Sequence, residues 1–228
     1  MPQPSEPDKT ITVGNTRTTT GELYEYYISN KDKILKECNY RKVLLFNKYD
    51  THDSFTVVRK YKDSAIILNK DNYEDIITGY TVSISVESEY PGQTLRQKII
   101  DIDSRSNKIT EKDLKKCVTD LFQLYNRYKC YVTISSTGYH FRVDINSQSY
   151  KQALAITKSE LTSKFQGIYA INEKPSTRNA GMINLDLVAM QSRGSLTVPY
   201  ALNRNLTVCR YIQLKDLNNA RRSTKKFT

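Results

Sequence analysis

The order of strand-like and helix-like segments predicts an α+β fold, an antiparallel sheet backed by helices on one face with a small α/β lobe before it. Three observations carry this expectation. The second half of the chain reads β-β-α-β-β-α-β. Its first strand alternates Val82, Ile84 and Val86 against Ser83, Ser85 and Glu87. Its first helix carries Leu114, Cys117, Val118, Leu121, Phe122, Tyr125 and Tyr128 at helical spacing, which we read as a core-facing stripe.

Taken in order, residues 1–10 are Pro-rich and polar and read as a disordered tail. Residues 11–78 read as the N-terminal lobe. Its first helix is announced by Thr19 or Thr20 as N-cap with Glu22 in the first turn, and Leu23, Tyr27, Ile34 and Cys38 then share a face. Strands follow at 42–46, 54–61 and 65–68, then turn and short-helix character to 78. Residues 79–218 read as the main lobe. A strand at 81–89, the Pro91-Gly92 turn and a strand at 95–103 should pair as a hairpin. Thr110 with Asp113 resembles a capping box with Asp in place of Glu, opening a helix to 129. A hairpin turns at Gly138 between 131–135 and 139–145, and a second helix spans 148–165. Strands at 182–186, 196–200 and 208–214 complete the lobe. Residues 219–228 form a basic tail, read as a solvated terminus.

The chain has 228 residues, enough for one large domain or two small lobes. Its 35 Lys and Arg against 24 Asp and Glu give a net charge of +11. A field of that sign favours polyanionic partners, with a merely basic protein as the plain alternative. No apolar run reaches membrane-spanning length and no secretory signal is apparent. Cys38, Cys117, Cys130 and Cys209 lack metal-ligand spacing and read as reduced structural thiols in a cytoplasmic, nuclear-like or viral replication compartment.

The acidic residues carry the most information. Asp101 and Asp103 end an apolar strand and, as alternate residues, project together roughly 6–7 Å apart. Asp186 ends a later strand-like run, Met182 through Leu185. Three carboxylates meeting on one sheet face can hold two divalent metals about 3.5–4 Å apart. Hard oxygen ligands favour Mg²⁺ or Mn²⁺ over zinc. Without a metal, one carboxylate should take up a proton near neutral pH. Between these strands, Ser135-Ser136-Thr137-Gly138-Tyr139-His140 is a polar turn presenting a histidine. Ser135, Ser136, His140 and the backbone at Gly138 can donate hydrogen bonds to a triphosphate.

Further cations have two readings each. Arg193, with Lys174 and Arg178, either reaches nucleotide phosphates or decorates surface turns. Arg59, Lys60 and Lys62 either line a template groove or form the solvated side of a strand. His52 lies in a polar loop and carries no assignment.

Together these residues resemble the archaeo-eukaryotic primase superfamily, and within it the polymerase domain of the bacterial end-joining ligase. Asp101-Ile102-Asp103 matches that domain's Asp-Leu-Asp, and Ser135 through His140 loosely match its Ser-Gly-x-x-Gly-x-His. Thr19-Thr20-Gly21-Glu22-Leu23-Tyr24-Glu25-Tyr26-Tyr27 is similar to its opening motif. Asp186 leads after thirteen residues to Pro199-Tyr200-Ala201-Leu202-Asn203, as the third aspartate there leads to Pro-Tyr-Ser-Leu-Arg. Leu214 and Leu217 match a closing Leu-x-x-Leu, so the likeness covers roughly residues 10–218.

The resemblance implies an RRM-like catalytic sheet and two-metal nucleotidyl transfer. Asp101, Asp103 and Asp186 would be the ligands, with His140 and Ser135 or Ser136 on the triphosphate. The substrates would be NTP or dNTP on a DNA template and primer. Departures bear on the role. Gly21 stands where a lysine is expected, near basic residues that grip a DNA 5′-phosphate at breaks. Ala189 replaces a Gln, and Asn203 replaces an Arg for which Arg204 is a neighbouring substitute. A free-standing primase-polymerase, with a helicase or ligase acting in trans, is therefore preferred to an end-joining gap-filling polymerase. A non-catalytic RRM-like nucleic-acid-binding module is the reading from another class, and a catalytically silent relative is a third.

Overall fold

The computed structural model describes residues 8–49 and 53–220. The tail expected over 1–10 lies outside these for residues 1–7, as do His52 and residues 221–228 of the basic tail. Within the described residues the strands are β1 (Thr10–Val13), β2 (Thr16–Thr19), β3 (Val43–Asn47), β4 (Thr56–Val58), β5 (Lys60–Tyr61), β6 (Ser64–Ala65), β7 (Thr81–Glu87), β8 (Thr94–Asp103), β9 (Cys130–Ile134), β10 (Tyr139–Ser149), β11 (Ala170–Asn172), β12 (Asn184–Asp186), β13 (Ser195–Thr197) and β14 (Arg210–Ile212). The helices are α1 (Thr20–Ser29), α2 (Lys31–Cys38), α3 (Tyr73–Ile76), α4 (Glu111–Leu124) and α5 (Tyr150–Phe165). The class is α+β, as expected.

The chain forms two units. One takes the residues up to Val86 and the returning segment Thr197–Cys209; the other takes Glu87–Leu196 and the segment from Arg210. The division falls between Val86 and Glu87, at the end of β7. The return of 197–209 to the first unit is encoded in Val198, Ala201, Leu202 and Leu206, which share its core with Leu23, Tyr27, Ile34 and Val82.

In the first unit β7, β3 and β4 are antiparallel neighbours. Thr19 caps α1 in a full capping box with Glu22, a motif that stabilises a helix by about 1 kcal/mol. Thr10 and Asp8 are structured although the sequence reads as a tail there. Thr10 pairs with Thr19, and the Asp8 carboxylate accepts from the Gly21 N–H at 2.8 Å and the Thr20 hydroxyl at 3.0 Å. The Tyr27 hydroxyl donates to the Val82 carbonyl at 2.8 Å, tying α1 to β7.

The second unit contains the sheet β11-β12-β8-β10-β9-β14. All its pairings are antiparallel except β11 with β12. Helices α4 and α5 pack on one face. Ile100 and Ile102 of β8, Tyr139, Phe141 and Val143 of β10, and Leu185 of β12 meet Leu114, Val118, Leu121 and Leu161 there. Truncating a ring such as Phe141 to Ala would cost roughly 3–5 kcal/mol. Thr110 and Asp113 form the capping box that starts α4.

Two expectations are corrected. The strands at 81–89 and 95–103 do not form a hairpin. β7 pairs with β3 whereas β8 pairs with β10 and β12, leaving only a Tyr90–Thr94 bridge between the two segments. The turn, with Gly92 and Gln93 both at positive φ, closes that one bridge, but β7 takes β3 as its ladder partner and β8 takes β10 and β12. β7 is also buried at all seven positions, including Ser83 and Ser85, rather than on one face.

Candidate active site

Apolar residues of β8, β10, β9 and β12 point to the helices, so their alternates share the other face. The register makes these alternates a single cross-strand row. Asp186 lies opposite Asp101, Asp101 opposite His140, and His140 opposite Thr133. Asn172 and Tyr211 extend the row to the outer strands. Asp103, two residues on from Asp101, lies opposite Asn184.

The loop before β12 is folded back by side-chain amides. Asn184 accepts from the Asn179 N–H at 2.8 Å and donates to the Asn179 carbonyl at 3.0 Å. This places Arg178 on the row. Its Nε and Nη2 lie 2.8 and 2.6 Å from Asp186 Oδ2, and its Nη1 lies 3.5 Å from Asp103 Oδ2. Asp186 Oδ1 accepts the Val188 N–H at 2.7 Å. Both Asp186 oxygens are thus satisfied, and its side chain is only 1% exposed.

Asp101 and Asp103 are less well served. The Oδ1 atom of each is buried and without a hydrogen-bond partner among the described residues. Burial, then the Asp103 and Asp186 charges, push the Asp101 carboxyl up to about 7. Burial raises Asp103 as well, with Arg178 opposing. A proton held near neutral pH is the state the sequence predicts for a crowded carboxylate pair.

His140 is buried, its Nε2 3.8 Å from Asp101 Oδ1 and its Nδ1 3.4 Å from the Thr133 hydroxyl. Burial and the Arg142 charge lower it to about 3, so it is neutral. In the tautomer where Thr133 donates to Nδ1, the ring proton is on Nε2, the nitrogen nearer Asp101.

The turn before His140 is set by close approach. A Cβ on Gly138 would lie 1.8 Å from the Ile102 carbonyl oxygen, so only glycine lets β10 run beside the Asp101-Ile102-Asp103 segment. Ser135 is buried, and its hydroxyl accepts the Gly138 N–H at 3.0 Å, securing the turn. Ser136 is exposed.

The other candidate residues are dispersed. Lys174 and Arg193 are exposed residues of the second unit. Arg193 sits in a turn at φ 59°, next to Gly194, where a Cβ would lie 2.4 Å from the Ala189 carbonyl oxygen. Arg204 belongs to the first unit, its guanidinium 5.2 Å from the Phe46 ring centroid. There it lines a cavity of about 580 Å³ with Lys48 and Phe55. Arg59, Lys60 and Lys62 are exposed in the first unit on and beside the β5–β6 ribbon. Asn203 is buried and ties its own turn through Thr207.

The sequence reading missed Arg142, which follows His140 by two on β10 and is buried on the same face. The His-x-Arg alternation within a strand was the available signal. It also missed Arg105, whose charge lowers Asp103, and Thr133. All four cysteines are free. No described helix is long and apolar enough to cross a membrane.

No protein-family model matches the chain, and no curated protein matches its sequence. Among solved structures it is similar to the polymerase domain of Mycobacterium tuberculosis Ligase D, solved in complex with DNA. The TM-score is 0.69 at 13% identity, over 89% of this chain and 83% of that one. The chain shares the fold of that domain.

As the side chains stand, no group of three His, Cys, Asp or Glu among the described residues is arranged to hold a metal ion. Arg178 bridges Asp103 and Asp186 with a positive charge of the chain's own. The donor set nevertheless suits a hard cation, with two orphaned buried carboxylate oxygens and a third carboxylate compensated by a guanidinium.

Proposed function

We propose that the protein is a metal-dependent nucleotidyltransferase, a free-standing DNA-templated primase or polymerase that adds NTP or dNTP to a 3′-hydroxyl. The observation that carries this reading is the row Asp186–Asp101–His140 with Asp103 beside it, on a sheet of the same fold as a polymerase domain solved with DNA. Asp101, Asp103 and Asp186 would hold Mg²⁺ or Mn²⁺, which lowers the pKa of an attacking hydroxyl and neutralises charge on departing pyrophosphate.

The chain's own groups have defined tasks in this scheme. Asp101 and Asp103 each keep one buried carboxylate oxygen without a partner, which would ligate the ion. Arg178 compensates Asp186 in the free protein and is a mobile-length side chain that can turn to phosphate when a cation takes its place. Neutral His140, held by Thr133, donates from Nε2 without adding charge. Gly138 keeps the edge beside Asp103 free of a side chain. Tyr131 and Tyr211, with ring centroids 6.1 Å apart, offer aromatic surface at the β9–β14 edge of the same face.

The test is nucleotide incorporation on primed and unprimed DNA templates, with ribo- and deoxynucleotides and with Mg²⁺ and Mn²⁺. Extension of a primer that vanishes in Asp103→Ala supports the reading, and full activity in that variant refutes it. Synthesis from two free nucleotides assigns priming.

Gap filling in end joining is the second reading, favoured by the ligase origin of the similar domain. Against it, the first turn of α1 at Gly21 is occupied by the Asp8 carboxylate rather than a basic side chain. Stimulation of incorporation by a downstream 5′-phosphate would reverse the preference. A non-catalytic RRM-like module is disfavoured because carboxylates, not aromatics, occupy the central strand β8 of the site face.

A further inference from the structure

Three cationic side chains are buried among the described residues, and they are not treated alike. Arg41 donates from Nε to the Cys38 carbonyl and from Nη2 to the Glu37 carbonyl. Lys98, on the helix face of β8, is ion-paired with Glu160 at 2.6 Å. Arg142 is 3% exposed, yet its Nε and Nη2 have no hydrogen-bond partner among the described residues. The acid next along its face, Asp144, is committed elsewhere, accepting from Gln97 at 2.8 Å and from the Tyr131 hydroxyl at 3.0 Å.

A buried guanidinium without a counter-charge is costly, and the protein gains nothing from it in the free state. β10 presents His140 opposite Asp101 and Arg142 opposite Ile99, one alternate residue farther along the same face. The face therefore changes from carboxylate, past an imidazole, to a cation over roughly 6–7 Å of strand. A phosphate chain needs hydrogen-bond donors and compensation of its charge. Arg142 can supply both, and its planar fork fits two oxygens of one phosphate group.

We propose that Arg142 is a buried oxyanion-binding residue that receives the phosphate chain of the incoming nucleotide, an assignment that rests on the nucleotidyl-transfer reading of the same site. Its charge meets the end of the phosphate chain remote from Asp101 and Asp103. It thereby holds the nucleotide in line and balances charge on the leaving pyrophosphate.

The experiment is calorimetric titration of the full chain with inorganic tripolyphosphate in metal-free buffer, accompanied by thermal melts. It compares the wild type, Arg142→Gln and Arg142→Lys. The wild type should bind and melt higher with ligand. Arg142→Gln should bind at least about tenfold more weakly, since it loses a charge-assisted forked contact. Its melting temperature without ligand should equal or exceed that of the wild type, because an uncompensated charge has been removed. Arg142→Lys keeps the charge without the fork and should fall between, which preserves the test if the Gln variant does not fold. No binding by the wild type, or wild-type affinity in the substituted proteins, overturns the proposal. Binding through Arg142 with no nucleotide incorporation under any metal leaves the anion site standing and removes the polymerase reading. Incorporation together with unchanged tripolyphosphate affinity in Arg142→Gln removes the anion site alone.

Discussion

Arg178 closes on Asp186, with Nη2 2.6 Å from a carboxylate oxygen that is almost wholly shielded from solvent. It also reaches Asp103 at 3.5 Å. A side chain thus supplies the positive charge that these carboxylates require. If the same carboxylates take a divalent ion, the guanidinium and the ion compete. Arg178→Gln should destabilise the metal-free protein by roughly 1–3 kcal/mol, discounted from a fully buried pair because Arg178 is 22% exposed. Mn²⁺ should then raise its melting temperature more than it raises that of the wild type. Thermal melts in chelator and in Mn²⁺ read both effects, and an equal metal-induced shift in the two proteins would count against competition.

Asp101 and His140 should make opposite contributions to stability against pH. Asp101 is raised from 3.8 to about 7 in the folded protein. Between those values the unfolded chain binds fewer protons there, so stability is lost as pH rises. His140 is lowered from 6.5 to about 3. Over that window the unfolded chain binds more protons, so stability is gained as pH rises. These two contributions should largely cancel in chelated wild-type protein between about pH 4 and 6.5. Asp101→Asn should expose the gain and His140→Gln the loss. Urea midpoints across that range decide it, and parallel curves for the two variants would contradict the assignment.

Gly138→Ala should be among the most damaging small substitutions in the second unit. Its methyl would need the place held by the Ile102 carbonyl oxygen, 1.8 Å away. Relief requires β8 and β10 to separate beside Asp103, at a cost of about 2–4 kcal/mol. Ser136→Ala, two residues earlier on the exposed turn, should change stability by no more than about 0.5 kcal/mol. Denaturant unfolding measures both.

Much of the second unit was legible because local signals agreed with the global outcome. The Thr110–Asp113 cap, the stripe from Leu114 to Tyr125 and the Gly138 hairpin each appear where periodicity and turn chemistry put them. The convergence of Asp101, Asp186 and His140 follows from alternation once β12 and β10 flank β8. What was illegible is non-local. Pro91-Gly92 marks a turn, but residue types there do not say whether the flanking strands pair or part. The Ser positions of β7 look solvent-facing, and burial on both sides depends on what the rest of the chain brings. Residues 10–19 are rich in Thr with few apolar residues, so their hairpin gives little period-two signal. Arg142 alternates with His140 on β10, but residue types do not show that it is shielded or that its Nε and Nη2 have no partner among the described residues.

The orphaned carboxylates of β8 should be essential for nucleotidyl transfer. Primer extension on a DNA template with Mn²⁺, comparing the wild type with Asp101→Asn, tests it most directly. The substitution removes a charge that burial disfavours, so it should leave the melting temperature in chelator unchanged or higher at pH 7.5. Extension should fall by about three orders of magnitude or more. Wild-type extension by a folded Asp101→Asn protein, or no extension by the wild type with either metal and either nucleotide type, would rule out nucleotidyl transfer at these carboxylates.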